Sequence, residues 1–284
     1  MNVNKENLRE HLRHLVRDRD PYFATQGHFY VQEYIRQELG QWGTVETHKF
    51  SHNGKTHQNL ILNLPPKDEV KKFPLPPILI GAHYDAVPGT PGADDNASGV
   101  AGMLELARIF AAAPIKYPLR FVAFDLEEYG MIGSEHYARQ LKQQKQKLRL
   151  MFSLEMLGYC DRTPGSQRYP AGLERFYPDR GDFMALIGNL TTIGDLLHLS
   201  RSIRQAGAAC EWLPAGQKGL IVPQTRLSDH APFWDNGYGA IMVTDTAFMR
   251  NPHYHQPSDR LETLDLDFMA SVCNGLVAGI NQLN

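Results

Sequence analysis

The sequence predicts an α/β fold: a single-domain, three-layer α/β/α sandwich over residues 1–284, built on a mixed, mainly parallel sheet. Two observations lead there. Apolar runs at 77–83, 119–125 and 148–156 alternate with helical patterns at 98–110 and 133–145, the rhythm of strands joined by crossover helices. No internal repeat, low-complexity tract or linker divides the chain, and 284 residues suffice to bury a sizeable core without disulfides.

In chain order, residues 5–18 place Leu8, Leu12, Leu15 and Val16 at helical spacing between charged residues. A second helical pattern over 27–39 carries Phe29, Val31, Ile35 and Leu39, with Gly40 as candidate C-cap. Residues 44–50 alternate like a half-buried strand, 57–64 read as another, and 67–72 form a charged connector. After the strand–helix units comes 161–182, aperiodic and rich in Gly, Pro, Arg and aromatics. It reads as a long ordered excursion on the substrate side. Strands at 183–187, 210–213 and 238–244 and helices at 191–206 and 264–283 complete the chain.

Composition narrows the function. Twenty-nine Lys and Arg against 31 Asp and Glu, net charge -2, imply no general attraction to nucleic acid or anionic membranes. The longest apolar runs, such as 239–243, are too short to span a bilayer. The first residues lack the apolar core of a secretory signal, so the chain as it stands reads as cytoplasmic; one cut from a secreted precursor would look the same. Cys160, Cys210 and Cys273 are odd in number and widely spaced, against both a disulfide framework and a cysteine-rich zinc site.

The acids fall in a pattern. His83 with Asp85, the pair Glu127 and Glu128, and Glu155 each sit at the C-terminal end of a separate apolar strand, where open α/β sheets place their ligands. Asp94 and Asp95 lie on the loop leaving the first of these strands, and the loop after the last adds His253 and His255. Singly, each has an ordinary explanation. Asp94-Asp95-Asn96 is a turn and N-cap pattern, Glu127-Glu128 an acidic first helical turn, and the histidines surface loop residues. Jointly, on strand ends that converge if the strands are parallel neighbours, they suit zinc or a similar divalent ion. Two ions sharing a carboxylate polarise a carbonyl and activate water, and one further carboxylate must stay free as general base. Adjacent glutamates fit that division, one pointing to metal and one to substrate.

These residues resemble the M28 family of zinc aminopeptidases. Gly81-Ala-His83-Tyr-Asp85 is similar to its His-x-Asp motif, and Gly92-Ala-Asp94-Asp95-Asn96-Ala-Ser98-Gly99 to its bridging-aspartate motif. Phe124-Asp-Leu-Glu127-Glu128-Tyr-Gly130, with Gly133-Ser134, resembles its Glu-Glu motif, and His255-Gln-Pro-Ser-Asp259 its His-x-Pro-x-Asp ending. The match runs in order from about Leu8 to Leu283. It implies that Asp95 bridges two zinc ions, with Glu128 and His255 completing one site and His83 and Glu155 the other. Glu127 becomes the general base, taking a proton from the attacking water and passing it to the leaving amine. Asp85 holds His83 through its other ring nitrogen, and Tyr254 matches a tyrosine that in some members stabilises the oxyanion. Ser228-Asp229-His230 corresponds to a supporting segment, and the Asp95–Asn96 peptide is expected to be cis.

One position departs from the pattern: better-known members carry Asp where this chain has Glu155. The implied cofactor is therefore two Zn2+, or one, or another divalent metal if the extra methylene alters the second site. The implied activity is hydrolysis of N-terminal peptide bonds in a peptide or small aminoacyl substrate. A single-zinc glutaminyl cyclase on the same fold is the alternative, and a catalytically silent peptide-binding module a third. The match at all five ligand positions and the short connection from Glu128 to Gly133 favour the peptidase. Substrate walls are expected from Tyr169, Phe176 and Tyr177 in the excursion and around Trp212, Phe233 and Trp234, against the ordinary alternative of core packing. Arg162, Arg168, Arg175 and Arg226 are candidate anchors for a substrate carboxylate, or partners of local acids.

Overall fold

The computed structural model describes residues 2–67 and 75–283. Its centre is one eight-stranded sheet. Strands β1 (Val45–His52) and β2 (Lys55–Leu64) form an antiparallel hairpin. Asn53 and Gly54 close it, both at positive φ, as a two-residue turn matching the twist of the strands requires. Then follow β3 (Ile78–His83), β4 (Leu119–Phe124), β5 (Leu150–Glu155), β6 (Phe183–Asn189), β7 (Ala209–Ala215) and β8 (Ala240–Thr244). The spatial order is β1-β2-β4-β3-β5-β8-β6-β7. Neighbours from β4 through β8 run parallel, as do β6 and β7, while β1/β2, β2/β4 and β6/β8 are antiparallel. The sheet is mixed and mainly parallel, as the sequence predicts.

Side-chain alternation divides the strands between two cores. Ile78, Ile80 and Ala82 of β3 pack to one side with α1 (Lys5–Leu15), α2 (Thr25–Gly40), α3 (Gly99–Ala112), α5 (Ile193–Gln205) and α7 (Leu266–Asn281). Leu79 packs to the other with Tyr137 and Leu141 of α4 (Ile132–Gln143) and Phe233 and Trp234 of α6 (His230–Asp235). Buried on both faces, these strands read as continuous apolar runs rather than alternating ones. Helix starts follow local chemistry: the Asn4 side chain accepts the Glu6 N–H, and Asp265 accepts those of Asp267 and Phe268. Among the described residues, no helix is long and apolar enough to cross a membrane.

Three details differ from the sequence reading. α1 ends at Leu15 because the chain turns extended at Val16 and runs inward rather than continuing to 18. Gly40 is the last residue of α2 and not a left-handed cap; Gln41 follows in right-handed geometry, its N–H on the Glu38 and Leu39 carbonyls. α6, six residues long, is too short to display a period. The charged connector from residue 68 onward lies outside the described residues.

α2 is tied to the sheet by a buried ion pair. His28 Nε2 lies 2.8 Å from Asp125 Oδ1, just past β4, and His57 Nδ1 lies 3.4 Å from the other oxygen. Burial raises the Asp125 carboxyl, but His28 and His57 outweigh it and hold the pKa at about 2. Burial likewise opposes charge on His28, and the Asp125 contact overcomes it, raising the imidazole. The Asp125 contribution is fully present above 3.8 and is lost as pH falls through about 2. The His28 contribution is fully present below 6.5 and is lost as pH rises through its raised value. His28→Ala should therefore reduce unfolding free energy by about 2 kcal/mol near pH ~5.5 and by clearly less near pH ~9. Denaturant unfolding at both pH values checks this, and equal losses would contradict the ion-pair account.

Candidate active site

The parallel run β4-β3-β5-β8 sets four C-terminal strand ends side by side. His83 is the last residue of β3, in register with Phe124 of β4; Glu155 is the last of β5, in register with Thr244 of β8. Glu127 and Glu128 follow β4 on a turn entered through Leu126, whose φ of 58° is left-handed. Asp85 fixes that turn: its carboxylate accepts the N–H groups of Glu127 and Glu128, each at 3.1 Å. Asp85 Oδ1 also stands 3.4 Å from His83 Nδ1, beside the ring nitrogen it was expected to hold.

Asp95 arrives on the loop between β3 and α3, which three side chains knit to the residues after β5. Asn96 Oδ1 accepts the Met156 N–H at 3.0 Å, Ser98 Oγ the Leu157 N–H at 2.8 Å, and Asp94 Oδ1 the Gly158 N–H at 2.9 Å. The last loop is fastened to the same place. The Asp259 carboxylate accepts the N–H groups of Asp94 (2.9 Å) and Asp95 (3.1 Å), and Asn251 Nδ2 donates to Asp94 Oδ2 at 2.8 Å. The Asp95–Asn96 peptide is cis, as expected. Met156 and His255, like Leu126, are non-glycine residues in the left-handed region, at φ 54° and 56°.

The ligand-type atoms converge. Asp95 Oδ1 lies 3.3 Å from His83 Nε2, which lies 3.6 Å from Glu155 Oε1. Asp95 Oδ2 lies 3.1 Å from His255 Nε2, which lies 3.3 Å from Glu128 Oε2. Two trios thus share Asp95, one oxygen in each. A tetrahedral zinc ion with ligands ~2.0–2.1 Å away separates them from one another by roughly 3.3 Å, the spacing found here. His83 Nδ1 and Nε2, Glu128 Oε1 and His255 Nε2 are buried without a hydrogen-bond partner, which polar atoms rarely tolerate. The donor set therefore fits a divalent cation in each trio. His83, Glu127 and Glu128 form a third, overlapping group, in which Glu127 Oε2 lies 3.9 Å from His83 Nε2.

The electrostatics point the same way. Burial, reinforced by Glu155 and Glu128 against the pull of His83, holds Glu127 well above the usual carboxylate range. Burial and the neighbouring Asp95 push Glu128 up to about 7. His255 is depressed by burial but lifted to about 10 by Asp95 and Glu128, and His83 is raised by Glu155 and Glu127 against the same penalty. Protons on glutamates and imidazoles here balance the acid excess, a task divalent cations perform in metal centres.

The remaining expected residues divide. The Tyr254 ring stacks on His255 at 3.7 Å, and Ser228 Oγ donates to Glu155 Oε2 at 2.6 Å. His253 faces away, its Nδ1 2.9 Å from Ser258 Oγ, and His230 Nε2 meets the Thr225 carbonyl at 2.7 Å. A small apolar cavity beside Glu155 and Tyr254, walled by Ile187, Met242 and Phe248, shares Ile187, Gln224, Thr246 and Met249 with a second that reaches Tyr169, Tyr177 and Trp212. Phe233 and Trp234 are core, and Phe176 is 78% exposed. Arg162 and Arg226 pair with Asp265 and Asp235. Sequence reasoning left Asp259 and Asn251 without a role, since a contact spanning some 160 positions leaves no local pattern.

Known proteins resemble the chain in sequence and in fold. The chain is 36% identical over 262 residues to the uncharacterized protein YfbL of Escherichia coli K12, covering 86% of this chain and 77% of that one. It is 31% identical over 212 residues to aminopeptidase YwaD of Bacillus subtilis, covering 73% of this chain but 40% of the relative. Among solved structures it is similar to Legionella pneumophila LapA (TM-score 0.75, 21% identity, 98% of this chain and 72% of that one). It is also similar to BSAP, a zinc aminopeptidase from Bacillus subtilis (TM-score 0.57, 27% identity, 80% and 50%). The glutaminyl cyclase of Bacteroides thetaiotaomicron shares the fold (TM-score 0.72, 15% identity, 100% and 99%). The model of peptidase family M28 matches residues 59–278, a span holding every candidate ligand from His83 to His255, and the chain belongs to that family.

Proposed function

We propose that this protein is a metallo-aminopeptidase that removes residues from peptide N-termini at a centre of two zinc ions. The observation that carries the reading is Asp95, with one oxygen in each of two ligand trios. His83, Asp95 and Glu155 would hold one ion, and Asp95, Glu128 and His255 the other. Ions bound there would polarise the scissile carbonyl and acidify the attacking water. Glu127, outside both trios, takes the proton from that water and delivers it to the leaving amine. Tyr254, stacked on His255, donates to the developing oxyanion. Asp85 keeps the Glu127–Glu128 turn in place by accepting hydrogen bonds from the two backbone N–H groups. The cavity beside Glu155 receives the first side chain, and its apolar walls favour aliphatic or aromatic residues.

YwaD and BSAP, both named aminopeptidases, support this reading, while the cyclase with the same fold supplies the competing one. Metal analysis joined to a panel of Leu-, Phe-, Asp- and Gln-initiated peptides separates them. We expect about two zinc ions per chain and release of Leu and Phe ahead of Asp. Cyclisation of the Gln peptide with a single ion per chain would instead establish the cyclase.

A further inference from the structure

We propose that Asp18-Arg19-Asp20 is a positioning clasp, holding the loop that carries Asp95 and the turn that carries Glu127 and Glu128 in fixed relation. The proposal rests on the roles given above to Asp95 and Glu127. A run of alternating charges after a helix ordinarily belongs on a solvated surface. Here Arg19 is 1% exposed and Asp20 fully buried.

The partners of Arg19 are backbone carbonyls, not carboxylates. Nε donates to Tyr84 O at 2.9 Å, Nη1 to Pro91 O at 2.7 Å, and Nη2 to Gly92 O at 2.9 Å and Asp95 O at 3.1 Å; Leu15 and Arg17 take longer contacts. A planar fork with five N–H groups can do this, and an ammonium cannot. The loop is built around it: at Gly92, φ 57°, a Cβ would lie 2.8 Å and 2.9 Å from the guanidinium nitrogens. α2 presses on the same segment, since a Cβ at Gly27 would lie 2.0 Å from the Asp18 carbonyl oxygen.

The flanking aspartates reach outward. Asp18 Oδ2 accepts the Gly89 N–H at 3.1 Å. Asp20 Oδ1 accepts the N–H groups of Tyr22 and Phe23, and its Oδ2 accepts the Tyr129 hydroxyl at 2.7 Å. Tyr129 directly follows Glu128. Three consecutive residues therefore grip both sides of the centre, and Arg19 adds a fixed positive charge beneath it, facing Asp95, Asp259, Asp85 and Glu128. Arg19 acts on the centre through the Asp95 carbonyl, and Asp20 acts through Tyr129.

The test uses the full chain with Zn2+. Arg19→Lys should weaken zinc binding about 10–100-fold, read by chelator competition on metal-stripped protein and independent of turnover. Tyr129→Phe removes one hydroxyl and should lower kcat about 10-fold with KM within about 2-fold, as displacement of a base does, and should weaken zinc binding less than Arg19→Lys because Asp85 still holds the Glu128 N–H. In an Asp20→Ala background, Tyr129→Phe should have no further effect on kcat. Unchanged zinc affinity in Arg19→Lys, with only a lower Tm, would overturn the proposal. So would wild-type kcat in Tyr129→Phe, which decides the matter alone if Arg19→Lys does not fold. A wild-type protein that binds zinc but cleaves no peptide would refute the aminopeptidase reading and leave the zinc arm intact.

Discussion

Replacing Glu127 with glutamine is expected to leave the metal complement intact and to lower kcat by about 10²–10⁴-fold with little change in KM. Glu127 belongs to neither trio that shares Asp95, so its loss removes no ligand from them. Glutamine keeps the shape and the backbone N–H hydrogen bond to Asp85 but offers no basic oxygen. The Asp85 contacts hold the turn through backbone N–H groups, so the substituted side chain has no route to disturb Glu128. Steady-state kinetics paired with metal analysis checks the prediction. Turnover near the wild-type rate would remove Glu127 from the mechanism.

Asp95→Asn should be equally damaging by a different route. One carboxylate oxygen becomes an NH2 group, a donor where an acceptor is needed, so one trio loses a ligand and the other a charge. Metal content should drop to one ion or fewer per chain, and hydrolysis by more than about 10²-fold, above the effect of losing an outer partner of a ligand. The backbone at Asp95 remains held by Asp259, so the metal-free variant should still fold, melting below metal-free wild type only by the loss of the Asp95 pairs with His83 and His255. His255→Ala is the informative companion. It strips only the trio with Glu128, and retention of one ion per chain there, with loss of both in Asp95→Asn, would establish the sharing.

What could be read from the chain, and what could not, follows from distance along it. β3, β4 and β5 were legible because strands buried on both faces are uninterrupted apolar runs. The candidate site residues on them were legible because His83 and Glu155 end strands, and Glu127 and Glu128 follow one within four residues. The cis peptide and the place of Asp95 came through resemblance, since no spacing separates Asp95 from Asp94. Asp94 turned out to bind Gly158, Ser98 and Asn251, a job visible only after folding. Arg19 and Asp20 were not legible because a charge run has the same pattern whether it meets water or is buried against a loop. Tyr177 and Trp212 line a cavity while Phe233 and Trp234 fill a core, and aromatic content alone does not distinguish those fates.

Leu126, Met156 and His255 carry a consequence for how such a protein can change over generations. All three hold a left-handed backbone that costs a side-chain-bearing residue about 1–2 kcal/mol relative to glycine. Two sit where the chain leaves β4 and β5, and the third is itself a candidate ligand. Glycine at 126 or 156 would remove that backbone cost, but it would also empty the space of a fully buried side chain, at about 2–5 kcal/mol, and loosen the glutamates that those turns aim. Heat tolerance and turnover thus bar glycine from both positions together, although neither side chain belongs to a candidate ligand trio.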